Sequence, residues 1–282
     1  MSTSKPVDRR ISLSFIFAVL LLDVMGLTLL FPVQAFVVRQ YSADALMVAL
    51  VPVLYAAAQF VSTPALGRLS DRFGRRPLLL LCLLGSAVGY FLFGLGGSLA
   101  VLFASRVLDG ITGGNVSIAS AYIADVSEPH ERPKNFALVG MAFGLGFILE
   151  PALGGALSVI SLAAPAYAAG ALALLAAAVG WFVLPESLPL QKRDNRPLRA
   201  ADLNPLASIS QYVRRPVIGR LLLVNALFAF VFDGNNGIAS LWLLDRFAIT
   251  PGALASRSST SGAAVVTFSK LSSRISASML AR

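Results

Sequence analysis

The residues of this 282-residue chain that can do chemistry are charged side chains set inside long apolar runs. Asp23 interrupts the run Ile11–Val38. Arg106 and Asp109 interrupt Leu99–Ile123, and with Gly110 and Gly113 they fall at i, i+3, i+4 and i+7, on one face of a helix. Glu150 interrupts Phe136–Ser158, directly before Pro151. A bare charge in mid-bilayer costs roughly 2.5–3.5 kcal/mol even on the mildest insertion scales, so each must face a cavity or a partner. Asp23 reads as a proton carrier, a cation site or a gating acceptor, or as a polar residue satisfied by a neighbouring helix. Arg106 keeps its charge at any physiological pH and can pair with Asp109, which suits proton coupling and equally suits a static ion pair. Glu150 reads as a second proton site, a contact for a cationic substrate, or a defect in helix packing. Gln59, Gly89, Tyr90, Asn225, Asp233, Asn235 and Asn236 are candidates to line a central cavity.

The elements that must position these residues follow from composition. Apolar residues make up 56% of the chain, charged residues only 13%, and mean hydropathy is +0.76. Soluble domains carry about 25% charged residues, which points away from a water-soluble globule. A spanning helix needs about 20 mostly apolar residues. Seven stretches qualify: Ile11–Val38, Ala45–Gly67, Leu78–Gly96, Leu99–Ile123, Phe136–Ser158, Leu162–Leu184 and Leu221–Leu244. The fold class is therefore an all-α polytopic membrane protein. The single Cys82 excludes a disulfide framework, and the single His130 excludes paired-histidine catalysis or metal binding. No Ser/His pair, ligand cluster or phosphate-cradling Gly-rich loop with Lys is present, so neither an enzyme nor a cofactor is expected, and a proton gradient is left as the energy source. His130, with Asp125, Glu128 and Glu131, reads as a solvated loop residue.

Charge gives the topology. Lys5, Arg9 and Arg10, then Arg68, Arg72, Arg75 and Arg76, then Arg132 and Lys134, then the basic stretch from Lys192 to Arg220 fall in alternate loops, while the opposite loops hold only Arg39 and Arg246. The positive-inside rule places the N-terminus and the long connection in the cytoplasm. The net charge of +9 thus speaks for membrane topology and not for nucleic acid. Partners implied are the lipid bilayer, protons and a small amphipathic solute. The organisation read from this is a cytoplasmic N-terminus (1–10), six helices (11–184), a Pro-punctuated linker (185–216), a seventh helix (217–246) and a basic tail (247–282). Gly252–Arg282 has nine serines and no acid, so it reads as a disordered tail or as a truncated or frameshifted continuation after about residue 251.

One string carries a family signature. Gly67-Arg68-Leu69-Ser70-Asp71-Arg72-Phe73-Gly74-Arg75-Arg76-Pro77 sits between the second and third spans as a loop, where Gly67 and Gly74 permit tight turns and Asp71 can cap a helix or pair with arginine. It resembles the cytoplasmic loop of the major facilitator superfamily. Leu22-Asp23-Val24-Met25-Gly26 with Pro32 resembles the first span of the drug–proton antiporters, the tetracycline-efflux branch in particular. Arg106 through Gly114 is similar to that family's fourth-span motif, and Gly146 through Gly155 to its fifth-span antiporter motif, with Glu150 standing where glycine is expected. The resemblance implies a six-helix N-terminal bundle plus a seventh transmembrane helix. It implies proton-coupled drug efflux across the bacterial inner membrane by rocking of two halves. In it, Arg106 serves proton coupling, Asp71, Arg72, Arg75 and Arg76 gate the cytoplasmic side, and a bent fifth helix seals the pathway. Gly140 and Gly144 form a GxxxG pair for close helix approach, and Gly146, Pro151, Gly154 and Gly155 continue that small-residue face with a bend at Pro151. The alternative is a non-transporting remnant, or a half-transporter that works only as a homodimer or with a partner chain.

Overall fold

The computed structural model describes residues 9–194, 196, 205–206, 210, 213, 215–227 and 229–231. Among them the regular structure is entirely helical: α1 (Arg9–Leu29), α2 (Phe31–Arg39), α3 (Ala45–Phe73), α4 (Arg75–Leu95), α5 (Leu99–Thr112), α6 (Asn115–Val126), α7 (Arg132–Ile160) and α8 (Ala164–Val183). A further apolar helix, α9, covers Pro216–Val231. The starts are locally encoded. Asp44 accepts from the Leu46 backbone N–H at 2.9 Å to open α3, Ser98 accepts from that of Val101 at 3.3 Å to open α5, and α7 and α8 carry proline, which has no N–H to orphan, as their second residue.

Of the seven predicted spans, four are matched by helices long and apolar enough to cross a bilayer and a fifth by a bent pair, and several are not single rods. α1 and α2 together form one candidate span, Ser12–Arg39, interrupted at Leu30. α3, α4 and α8 are each long and apolar enough to cross a bilayer. α7 is a further span bent by 43° between Arg132–Leu149 and Leu153–Ile160, at the expected Pro151. The predicted fourth span is two short helices, α5 and α6, parted at Gly113-Gly114, each of which packs on α4. The seventh begins at Pro216, earlier than expected, and its continuation beyond Val231 lies outside the described residues.

Packing is arranged in layers. One apolar cluster joins Ile16, Val19 and Leu20 of α1 with Leu79 and Leu83 of α4, Ile118 and Tyr122 of α6 and Ala176 of α8. A second joins Leu30, Val38 and Val51 with Ala87, Tyr90 and Phe93 of α4, Leu102 of α5 and Ala169 and Ala173 of α8. Polar residues stand where these clusters end: Asp23 follows Leu20 on α1, Ser86 lies between Leu83 and Ala87 on α4, and Arg106 and Asp109 follow Leu102 on α5, whereas α8 passes from one cluster to the other through leucines alone.

Small residues permit the close approaches on which this layer depends. A Cβ at Gly110 would fall within contact distance of the Tyr55 carbonyl oxygen and 2.7 Å from the Ala58 Cβ, both on α3. At Gly146 it would lie 2.6 Å from Val24 Cγ1 on α1. Among the described residues nothing makes the expected GxxxG contact at Gly140 and Gly144: both are exposed, with nothing within 4 Å of a built Cβ. The spacing supplied the means of approach, and no described helix fills it. We therefore expect opposite results from two like substitutions. Gly110→Ala forces α3 and α5 apart, at an overpacking cost of about 1–3 kcal/mol, which lowers the thermal midpoint in detergent by roughly 3–10 °C. Gly140→Ala meets open space and raises helix propensity, leaving the midpoint unchanged or higher. Equal midpoints for the two variants would contradict this packing.

Candidate functional site

The polar layer brings Asp23, Asn115, Arg106, Asp109 and Gln59 to one level of the bundle. Asn115, the first residue of α6, donates from Nδ2 to Asp23 Oδ1 on α1 at 2.7 Å. Arg106 Nη1 donates to Asp109 Oδ2 at 3.2 Å within α5, and the two residues are only 3% and 1% exposed. Ser86 on α4 supplies Asp109 with a second hydrogen bond. The Arg106 guanidinium also lies over Phe93, 4.7 Å from the ring centroid, and over Tyr90 at 5.5 Å. Aromatic faces thereby replace part of the hydration that the cation lost. Its Nε and Nη2 have no hydrogen-bond partner among the described residues.

Asp109 fits because its neighbour has no side chain: a Cβ on Gly89 would lie 2.9 Å from Asp109 Cβ. Gln59 is half-buried and bonded within the bundle. Its Nε2 donates to the Gly113 carbonyl at 2.7 Å and to Tyr55 Oη at 3.0 Å, while Ser62 Oγ donates to the Gly110 carbonyl at 3.1 Å. These α3 side chains take up carbonyls at the α5–α6 break, the requirement that a broken helix imposes inside a membrane. Tyr90 is buried beside Gly26.

Of the other expected site residues, Glu150 and Pro151 lie on α7 at its bend, and their side chains lie outside the described residues, as do Asp233, Asn235 and Asn236. Gly154 and Gly155 are buried, and Asn225 is exposed on α9. His130 is exposed, with Nδ1 3.6 Å from Glu128 Oε2, as a loop residue should be.

The Gly67–Pro77 motif is built differently from the expected loop. α3 runs on to Phe73, so Gly67 through Phe73 are helical and Gly67 makes no turn. Only Gly74 turns the chain, at φ +109°, where a Cβ would meet the Glu186 carboxylate. Asp71 does not cap α4. That role falls to Glu186, whose Oε1 accepts from the Arg75 backbone N–H at 2.9 Å. Arg75 is the centre of the cluster: Nη2 lies 2.6 Å from Asp71 Oδ1, Nε 3.1 Å from Asp125 Oδ2, and Nη1 donates to Ser70 Oγ at 2.6 Å. Arg76 donates to the Trp181 carbonyl and covers its ring, while Arg72 lies over Phe73.

The segment after α8, expected as a free linker, folds back onto this motif as far as it is described. Arg193 Nη2 lies 3.6 Å from Glu186 Oε2, Arg68 Nη1 lies 2.7 Å from Asp194 Oδ2, and the Asp194 backbone N–H donates to the Asp71 carbonyl at 3.1 Å. Hydrogen bonds from the Arg196 side chain and backbone, then from Arg68, hold the Asp194 carboxyl well below the usual carboxylate range. A depressed carboxyl stabilises the fold above its ordinary titration range and gives that up as pH falls, so this clasp stays charged through mild acid. Sequence reasoning missed Asn115, Ser70, Glu186, Arg193 and Asp194 as members of these sites, and placed Asp125 in a loop rather than at the end of α6. An amide directly after Gly113-Gly114 in an apolar run was the available signal for Asn115.

Comparison with known proteins accords with this arrangement. The family model described as Major Facilitator Superfamily matches residues 16–282, a range that takes in the Ser-rich stretch after Pro251. The chain is 35% identical to the class C tetracycline resistance protein of Escherichia coli over 84% of its own length and 60% of that protein's. It spans 44–60% of the length of the first three tetracycline resistance proteins it matches. The crystal structure of the human organic anion transporter MFSD10 superposes with a TM-score of 0.71 at 30% identity, covering 89% of this chain and 69% of that one. A bacterial homologue of the human lysosomal transporter Spinster, in an inward-facing form, gives the same TM-score at 19% identity, over 94% of this chain and 61% of that one, a likeness of fold alone. A helical unit with charged residues buried inside it and a basic motif at the α3–α4 junction is thus matched in sequence and in fold, and the chain belongs to the major facilitator superfamily.

Proposed function

We propose that the chain serves proton-coupled export of an amphipathic drug of the tetracycline kind across the bacterial inner membrane, with its N-terminus in the cytoplasm. The observation that carries this reading is the polar layer: a carboxylate on α1 bonded to the first residue of α6, beside a buried ion pair on α5. Intramembrane ionisable groups mark ion pathways by default. Asp23 takes up and releases the proton. Arg106 fixes a positive charge beside Asp109, so a proton or a cationic solute is held only where a carboxylate faces it. The Arg75 cluster ties α3, α4, α6 and the segment after α8 together on the cytoplasmic side. The likeness to tetracycline resistance proteins and to Multidrug resistance protein 2 of Bacillus subtilis supports the substrate class.

The test is uptake of labelled tetracycline by everted membrane vesicles under an imposed pH gradient. Asp23→Asn should abolish gradient-driven uptake at normal protein level. Undiminished uptake would remove Asp23 from the mechanism. A second cargo class, organic anions, is favoured by one observation: the buried Arg106 retains Nε and Nη2 without partners, and can offer both to an anion. Competition by an organic anion in the same vesicles, lost in Arg106→Lys, separates the two.

A further inference from the structure

We propose that Asn115 is a positioning residue that grips Asp23 by one hydrogen bond when the carboxylate is ionised and by two when it is protonated, making the hold of α1 on the α5–α6 break proton-dependent. The inference rests on the reading of Asp23 as the proton carrier.

Asn115 is only 2% exposed. Its Nδ2 donates to Asp23 Oδ1 at 2.7 Å, yet its Oδ1 is buried with no partner among the described residues. Native cores rarely leave a buried amide oxygen without a donor. An ionised carboxylate has only acceptors, so it can use Nδ2 and nothing else. A protonated one carries an O–H, and the Asn115 oxygen is the unused acceptor on the amide already bonded to it. The neutral pair closes a ring in which Nδ2–H donates to one carboxyl oxygen and the carboxyl O–H donates to Oδ1. Arrival of the proton thus adds a hydrogen bond, and its departure removes that bond.

The position of Asn115 gives that change a direction. It is the first residue after Gly113-Gly114, and the carbonyls of Gly110 and Gly113 on the other side of the break are held by Ser62 and Gln59 of α3. α3 holds one side of the break by bonds that no proton alters, and α1 holds the other through Asn115. The groups whose charge is felt at Asp23 are Asp109 on α5, Tyr55 on α3, and Tyr90 and Cys82 on α4, with Arg106 acting through Asp109. On α8, Tyr167 is turned to Phe91 and Gly94. α2 carries Arg39 at its end. α6 has Tyr122 bonded to the Pro185 carbonyl, and α7 meets α1 through Gly146 beside Val24. Among these described groups, Asn115 alone is hydrogen-bonded to Asp23.

The test is infrared difference spectroscopy of the full chain in lipid, titrated with pH. The carboxylic-acid C=O band that Asp23→Asn removes is the Asp23 signal. In Asn115→Leu that band should move to higher wavenumber, because the protonated acid loses its acceptor, a signature that loss of packing alone does not produce. Asn115→Ser, whose hydroxyl still accepts, should place the band between the two and serves where the leucine variant fails to fold. A band unmoved in a folded Asn115 variant overturns the proposal while leaving Asp23 as carrier. Absence of any band removed by Asp23→Asn overturns both.

Discussion

Arg106→Leu is expected to lower the thermal midpoint of the purified protein by on the order of 10 °C, and Arg106→Leu with Asp109→Asn to recover most of that loss. The single substitution strips Asp109, 1% exposed, of its charged partner and leaves it with Ser86 alone. Orphaning one member of a buried ion pair costs roughly 3–5 kcal/mol, and about 2–4 °C accompanies each kcal/mol in a chain of this size. Neutralising both members removes the uncompensated charge, and an amide still bonds Ser86. Transport should be absent from both variants, since the fixed positive charge is gone from each. The comparison isolates the electrostatic share. If the double variant is as unstable as the single one, the cost lies in the lost stacking of the guanidinium on Phe93 and Tyr90, and the ion pair contributes little to the fold.

What the sequence disclosed, and what it withheld, divides along the range of the interactions. The spans α3, α4 and α8 and the α1–α2 pair were legible because a membrane-crossing helix needs about 20 apolar residues, so composition within one window suffices. The pairing of Arg106 with Asp109 was legible because a three-residue spacing on a helix brings side chains together whatever surrounds them. The bend in α7 was legible from Pro151. The break between α5 and α6 was half-legible: Gly113-Gly114 marked it, but a run of apolar residues on either side concealed that Asn115 opens a new helix. The hydrogen bond from Asn115 to Asp23 joins residues 92 positions apart, and those from Arg75 to Glu186 and from Arg68 to Asp194 span 111 and 126 positions. No local pattern encodes such contacts. Gly140 and Gly144 show the converse, a local pattern that permits a close approach without specifying what approaches.

The Arg75 cluster carries the other large effect, and there partial exposure changes the arithmetic. Arg75→Ala should cost about 3 kcal/mol, at the low end for a buried ion pair, because its side chain is 11% exposed while Asp71 and Asp125 are 37% and 24% exposed and regain water when it leaves. The three groups that lose a partner are Asp71, Asp125 and Ser70, drawn from α3 and α6, so the substitution unfastens two helices from α4 at once. The cap on α4 survives, since Glu186 bonds the backbone N–H of residue 75 and not its side chain. The expected result is therefore a lowered thermal midpoint without loss of α4. Arg75→Lys recovers only part of it, because one ammonium cannot reproduce a planar guanidinium that reaches three acceptors in separate directions. Asp71→Asn should cost much less, near the 1 kcal/mol ceiling of a half-exposed pair, and its effect should shrink in high salt. The order Arg75→Ala, then Arg75→Lys, then Asp71→Asn is the measurable content. Should Asp71→Asn prove as costly as Arg75→Ala, the single pair at 2.6 Å would account for the whole effect, and the branching of Arg75 to Asp125 and Ser70 would add nothing to the hold on this face.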